Sequence, residues 1–244
     1  MNIFLYTMLF LIGALAGNFW KMATYRIPRN IELNKKGVSY IEPNNKSNVL
    51  PQIFYLLLGG ILFVIFGKIL GININNIQLS TILIYIFTIL YVSILIIISG
   101  IDQKFLKIEK TVTTAGIILS IIYIIYIYTI DASTIKTSII YLGTYILLIA
   151  IDTFIVKRYA KNSYTTGILM LFNIMVIFAG IDIFTYTIIL TAIEILVCLL
   201  IAKIKQRDNG NKKVRLSDVP VGYFLCVSNV FAIIAISAIT TYIR

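Results

Sequence analysis

Histidine is absent from the 244 residues, cysteine occurs only twice, and just ten side chains are acidic. Without histidine the chain can hold neither an HExxH zinc peptidase site nor a Ser-His pair, and most zinc centres are excluded with them. Cys198 and Cys226 fall inside apolar segments and show no CxxC spacing, which reads as small core residues rather than a redox or metal pair. Catalysis, if the chain performs any, is therefore left chiefly to carboxylates. Only 13% of residues carry a charge.

What is abundant is hydrocarbon. Hydrophobic residues make up 59% of the chain and the mean hydropathy is +0.95, too apolar for a soluble core. The apolar stretches approach the ~20 residues that a helix needs to cross ~30 Å of lipid. Unpaired backbone groups are too costly in that medium for anything but helices or a closed barrel. The expectation is an all-α polytopic membrane protein, one domain over 1–244, with helices at 3–20, 51–70, 81–101, 112–130, 137–156, 165–181, 184–203 and 219–242.

A formal charge of +11 in a soluble protein would point to nucleic acid. Here it has a topological explanation. The loops at 21–50, 102–111, 157–164 and 204–218, with Lys203 at a helix edge, hold 18 of the 21 Lys and Arg residues. Cytoplasmic loops collect basic residues, so these loops are expected inside, the N-terminus outside, and no nucleic acid as partner. The exceptions are Lys68, Lys136 and Arg244, all at helix ends on the opposite side. The first helix lacks the positive n-region of a signal peptide, and its positive charge follows instead, as in a retained helix.

Among the acids, Glu32, Glu42, Asp208 and Asp218 sit in basic loops as solvated counter-charges, and Asp131 and Asp182 fall at outer loop ends. Asp102 closes the third helix among Lys104, Lys107 and Lys110, which it could simply balance. Asp152 lies five residues inside the cytoplasmic end of the fifth helix, about 7 Å deep at 1.5 Å per residue. Glu194 lies midway along the seventh. Carboxylates at such depth are functional candidates by default, although Glu194 could equally be a neutral acid bonded to a neighbouring Thr or Tyr. Asp102 and Asp152 share a membrane side. Two carboxylates brought close in a partly dry site do not both ionise easily; one would take a proton from water while the other polarises a peptide carbonyl.

Three stretches resemble one family. The run Gly13-Ala-Leu-Ala-Gly17-Asn-Phe19-Trp-Lys-Met-Ala-Thr-Tyr25-Arg26-Ile-Pro28 is similar to the N-terminal signature of type IV prepilin peptidases, the bacterial membrane aspartic peptidases. Its Gly13 and Gly17, four apart, offer a flat face for close helix contact. Asp102 is followed by five residues and then Ile108-Glu109-Lys110, where the family has an aspartate, five residues and Ile-Pro-Asp/Asn. Asp218-Val219-Pro220-Val221-Gly222-Tyr223-Phe224-Leu225 resembles the family's Ile-Pro-Phe-Gly-Pro-Phe-Leu opening of the last helix.

The departures are equally specific. The family's Gly-x-Gly-Asp motif is absent; the corresponding stretch, Asn162-Ser163-Tyr164-Thr165-Thr166-Gly167-Ile168, carries no acid. Asp152 could replace that aspartate only from the preceding helix. The cysteine tetrad of many members is missing, and so is the glutamate after the proline of the second helix, where Gln52, Ile53, Phe54 and Tyr55 follow Pro51.

The resemblance implies an aspartic endopeptidase of the bacterial cytoplasmic membrane, with Asp102 and Asp152 as catalytic carboxylates and no metal or cofactor for proteolysis. Its partners would be membrane lipid and type IV prepilin or pseudopilin precursors, whose leader it would cleave at the cytoplasmic membrane face. Many relatives also methylate the new N-terminus with S-adenosylmethionine. Two other readings stay open: a degenerate relative that binds prepilins or assembly proteins without chemistry, and an ion-coupled transporter using Asp152 and Glu194.

Overall fold

The computed structural model describes residues 2–30, 49–73, 78–130, 154, 163–209 and 219–243. Six α-helices account for nearly all of these: α1 (Asn2–Arg26), α2 (Val49–Ile69), α3 (Leu79–Phe105), α4 (Lys110–Ile130), α5 (Ser163–Asn209) and α6 (Val221–Ile243). No strand occurs among the described residues. Each of the six contains a stretch long and apolar enough to cross a membrane. Large apolar side chains stand exposed along them; Leu15 is 72% exposed, which suits a lipid surround and would be a liability in water. The chain is thus an all-helical protein with multi-pass membrane character. Of the expected helix at 137–156, only residue 154 is among the described residues.

The chain divides into two compact units, residues 1–97 with 234–244, and residues 98–233. In the first unit, α1 packs on α2 through the flat face expected of Gly13 and Gly17. A Cβ at Gly13 would strike the Gly59 carbonyl, and one at Gly17 the Tyr55 carbonyl. Backbone meets backbone there, which only glycine allows. Trp20, Phe66 and Tyr91 are buried in this unit. Phe63 presents its ring edge to Tyr85 at 6.3 Å, and the Tyr85 hydroxyl donates to the Phe63 carbonyl at 3.1 Å.

The helix ends differ from expectation in instructive ways. The first loop was expected from residue 21, but α1 continues to Arg26, with Lys21 and Arg26 buried. Pro28 then enforces the change to a short 3-10 turn over Ile27–Arg29. The Arg29 guanidinium covers the Tyr25 ring at 3.8 Å. At the end of α2, Gly71 takes φ 70°, Ile72 N–H donates to the Gly67 carbonyl at 2.9 Å and Gly71 N–H to that of Lys68 at 3.1 Å. These are the paired bonds of a Schellman ending, and the left-handed residue is the glycine that such an ending favours.

In the second unit α5 is 47 residues long, with non-helical backbone at Gly180 (φ 83°, ψ 167°), a region open essentially to glycine alone. Phe172 and Phe184 flank that residue, and their rings meet at 5.5 Å. Twelve residues of straight helix would separate them by about 18 Å, so the chain folds sharply back at Gly180. The break expected between 181 and 184 is therefore present, displaced to the glycine. Phe178 in the first arm stacks on Tyr123 of α4 at 4.3 Å.

Candidate functional site

Asp102 was expected at the end of the third helix; α3 instead runs on to Phe105, which places Asp102 in its last turn. Leu106 N–H closes that turn on the Asp102 carbonyl at 2.9 Å, and Leu106 itself sits at φ 48°, a left-handed conformation that costs a non-glycine residue about 1–2 kcal/mol. The chain then drops into α4 by way of Ile108. The side chain of Asp102 is turned inward and is 0% exposed.

What receives it is the start of α6. Pro220 precedes that helix and accepts the first intrahelical bond, from Phe224 N–H at 3.3 Å. A helix start leaves its first N–H groups without internal partners, and proline in the capping position has no side-chain acceptor to offer them. The acceptors come from elsewhere in the unit. Tyr223 N–H donates to Asp102 Oδ2 at 2.9 Å. Gly222 N–H donates, more weakly at 3.4 Å, to the hydroxyl of Tyr164, at the start of α5. That hydroxyl in turn donates to the same Asp102 Oδ2 at 3.0 Å. The positive end of the α6 dipole also favours an anion at this position.

Two glycines make the approach feasible. A Cβ on Gly222 would lie 3.0 Å from Asp102 Oδ2 and 3.1 Å from Ile108 Cδ1, and one on Gly167 would lie 2.6 Å from Ile108 Cβ. Ile108, buried, lies against both of these bare backbones. Asp102 Oδ2 thus holds two donors, while Oδ1 is buried with no hydrogen-bond partner among the described residues. The groups acting on the carboxylate are the two backbone N–H groups and the Tyr164 hydroxyl, with no described acid beside it. Asp152, expected to be its companion, lies outside the described residues.

The other acids whose side-chain partners are described, Glu109 and Glu194, separate from this centre. Glu109 pairs with Lys107 at 2.6 Å. Glu194 in the second arm of α5 accepts from the Ser228 hydroxyl at 3.0 Å, so its partner is a serine rather than the neighbouring Thr or Tyr expected. Next to it on α6, the buried Asn229 amide donates to Thr187 Oγ1 at 2.9 Å. Cys226 is buried and Cys198 half-buried, both as free thiols. Among the described residues no three His, Cys, Asp or Glu side chains gather as a metal site would require.

S-adenosylmethionine needs polar groups for its nucleoside and its amino acid. The groove along α5 lined by Ala192, Ile195, Leu196, Leu199, Leu200 and Lys203 offers only one ammonium, and it does not fit that cofactor.

Sequence reasoning singled out Asp102, Ile108, Gly222 and Tyr223 from two separate motifs, and the fold brings all four together. It missed Tyr164, although the residue stands in the stretch that replaces the Gly-x-Gly-Asp motif. It also missed the Thr187–Asn229 and Ser228–Glu194 bonds, whose signal was polar side chains inside apolar spans. No family model, curated protein or solved structure matches the chain.

Proposed function

We propose that the chain is a multi-pass aspartic endopeptidase of the prepilin-peptidase type. It would remove the leader of type IV prepilin or pseudopilin precursors at the cytoplasmic face of a bacterial membrane, with Asp102 as one catalytic carboxylate and Asp152 as the second. One observation carries the reading. The two motifs that resemble the family after its N-terminal signature, Asp102 with Ile108 and Gly222 with Tyr223, are 121 residues apart between Asp102 and Tyr223 and yet joined by a hydrogen bond. Such a meeting is what a single site built from both motifs would need.

The topology belongs to the same proposal. The apolar span of α5, 40 residues, would reach about 60 Å if straight, twice the ~30 Å of hydrocarbon. The reversal at Gly180 supports two crossings. With a further crossing over 137–156 the total is eight, with the N-terminus outside. In proteolysis a water adds to the scissile carbonyl, a carboxylate takes its proton, and the amine leaves with a proton returned from that acid. Methylation of the product by S-adenosylmethionine is no part of this proposal.

A second reading is favoured by the burial of Asp102, which no solvent reaches in this conformation. A carboxylate that caps α6 without chemistry would be buried too, and the protein would then bind prepilins or assembly proteins as a scaffold.

The purified protein in lipid, supplied with a pilin-like precursor from its own organism, separates the two. Wild type should release the leader, while Asp102→Asn and Asp152→Asn each insert normally and leave the precursor intact. Processing by Asp152→Asn at the wild-type rate would remove Asp152 from the pair. Failure of the wild type, beside a related enzyme that cleaves the same precursor, would leave the scaffold.

A further inference from the structure

We propose that Tyr164 is a positioning residue for Asp102: with the first turn of α6 it occupies Oδ2 and so makes Oδ1 the oxygen that exchanges a proton with the attacking water. The inference rests on the peptidase reading and deepens it by assigning different work to the two oxygens of one carboxylate.

The hydroxyl of Tyr164 uses both of its capacities, accepting from Gly222 N–H at 3.4 Å and donating to Oδ2 at 3.0 Å. Tyr223 N–H adds a second donor to Oδ2 at 2.9 Å. Two donors from two directions fix the rotation of the carboxylate about its Cβ–Cγ bond. Among the described residues Oδ1 has no hydrogen-bond partner, although the side chain is 0% exposed. An aspartate that served only to cap the helix has no reason to keep one oxygen buried and unpaired, since such an atom carries a desolvation penalty of about 1–3 kcal/mol. A buried polar atom of this kind calls for an explanation, and a proton acceptor held ready for substrate is one.

In the reaction Oδ1 takes one proton from water as the water oxygen adds to the scissile carbonyl carbon. The same proton then passes to the amide nitrogen as the C–N bond breaks, so a carboxylic acid and an amine leave and the carboxylate is restored. Tyr164 contributes no atom to these steps. Its effect is on orientation, to which proton transfer and attack are both sensitive.

Tyr164→Phe removes the hydroxyl and keeps the ring. Two readouts test it on the full-length protein in lipid. In infrared difference spectra of each protein against its own Asp102→Asn form, the Asp102 carboxyl band should move in Tyr164→Phe and stay in place in Tyr123→Phe. With a cleavable precursor, kcat should fall about 10-fold to 100-fold while KM stays within about twofold, because the hydroxyl orients the base and does not bind the leader. An unchanged band would show that the bond to Asp102 is not made. A moved band with kcat unchanged would overturn the positioning role and leave the peptidase intact. A wild type that cleaves nothing beside an active relative overturns the peptidase reading itself, and the role of Tyr164 with it.

Discussion

Asp102 is held in place by what its neighbours lack. Pro220 cannot cap its own helix, Gly222 has no side chain to push the carboxylate away, and Gly167 leaves a slot for Ile108. The carboxylate could be picked out of the sequence because its spacing to Ile108 is a pattern. Tyr164 could not, because its contribution is one hydroxyl whose target lies on two other helices, and hydropathy records a tyrosine at a span end only as an interfacial residue. The glycine at 222 gives the sharpest test of this packing. Gly222→Ala places a methyl 3.0 Å from Oδ2 and 3.1 Å from Ile108 Cδ1, closer than such contacts normally allow, with a hydrogen-bonded carboxylate on one side that cannot yield freely. The variant should lose about 1–3 kcal/mol of stability, seen as a lower midpoint in thermal unfolding in detergent. An unchanged midpoint would mean that α6 does not approach Asp102 so closely.

The helices as elements were largely legible: seven of the eight expected spans fall on the six described helices, two of them on α5, and of the eighth, 137–156, only residue 154 is described. The ends of the helices were not legible. Charge at Lys21 and Arg26 reads as the start of a loop, yet both side chains are buried and α1 continues through them until Pro28 removes the option. Asp102, Gln103 and Lys104 likewise look like loop and form the last turn of α3. A helix stops where its backbone finds a terminator, as at Pro28 or Gly71, and not where the hydrocarbon ends. Pairing between elements was visible only where glycine marked it. Gly17→Val would set a branched side chain against the Tyr55 carbonyl of α2 and should force α1 and α2 apart. Cysteine pairs introduced across the two helices should then cross-link poorly in Gly17→Val and efficiently in the parent protein. Leu15→Val, on an exposed position of the same helix, should cross-link as the parent does. Equal cross-linking in Gly17→Val would show that the glycine face is not the contact.

For the whole molecule the proposal of eight crossings turns on Gly180. A run of 40 residues in α5 satisfies the hydropathy criterion as one span, where the sequence reading places two, 165–181 and 184–203. Conformation favours two: φ 83° with ψ 167° is not helical, and the meeting of Phe172 with Phe184 requires reversal. Basic residues argue the same way: under the proposed topology Lys107 and Lys203 would face the cytoplasm together while Asp182, beside the turn, would face out. Single cysteines at these three positions, in a protein whose Cys198 and Cys226 are replaced, would be read by an impermeant maleimide added to intact cells. Asp182→Cys should label at once, and Lys107→Cys and Lys203→Cys only after the membrane is opened. Should Lys107→Cys and Lys203→Cys label from opposite sides, α5 would cross once and the basic-inside assignment would fail for one of its two loops. A common inner side for both would place the Asp102 carboxylate, three residues before Phe105 closes α3, near the face where a prepilin leader meets the membrane.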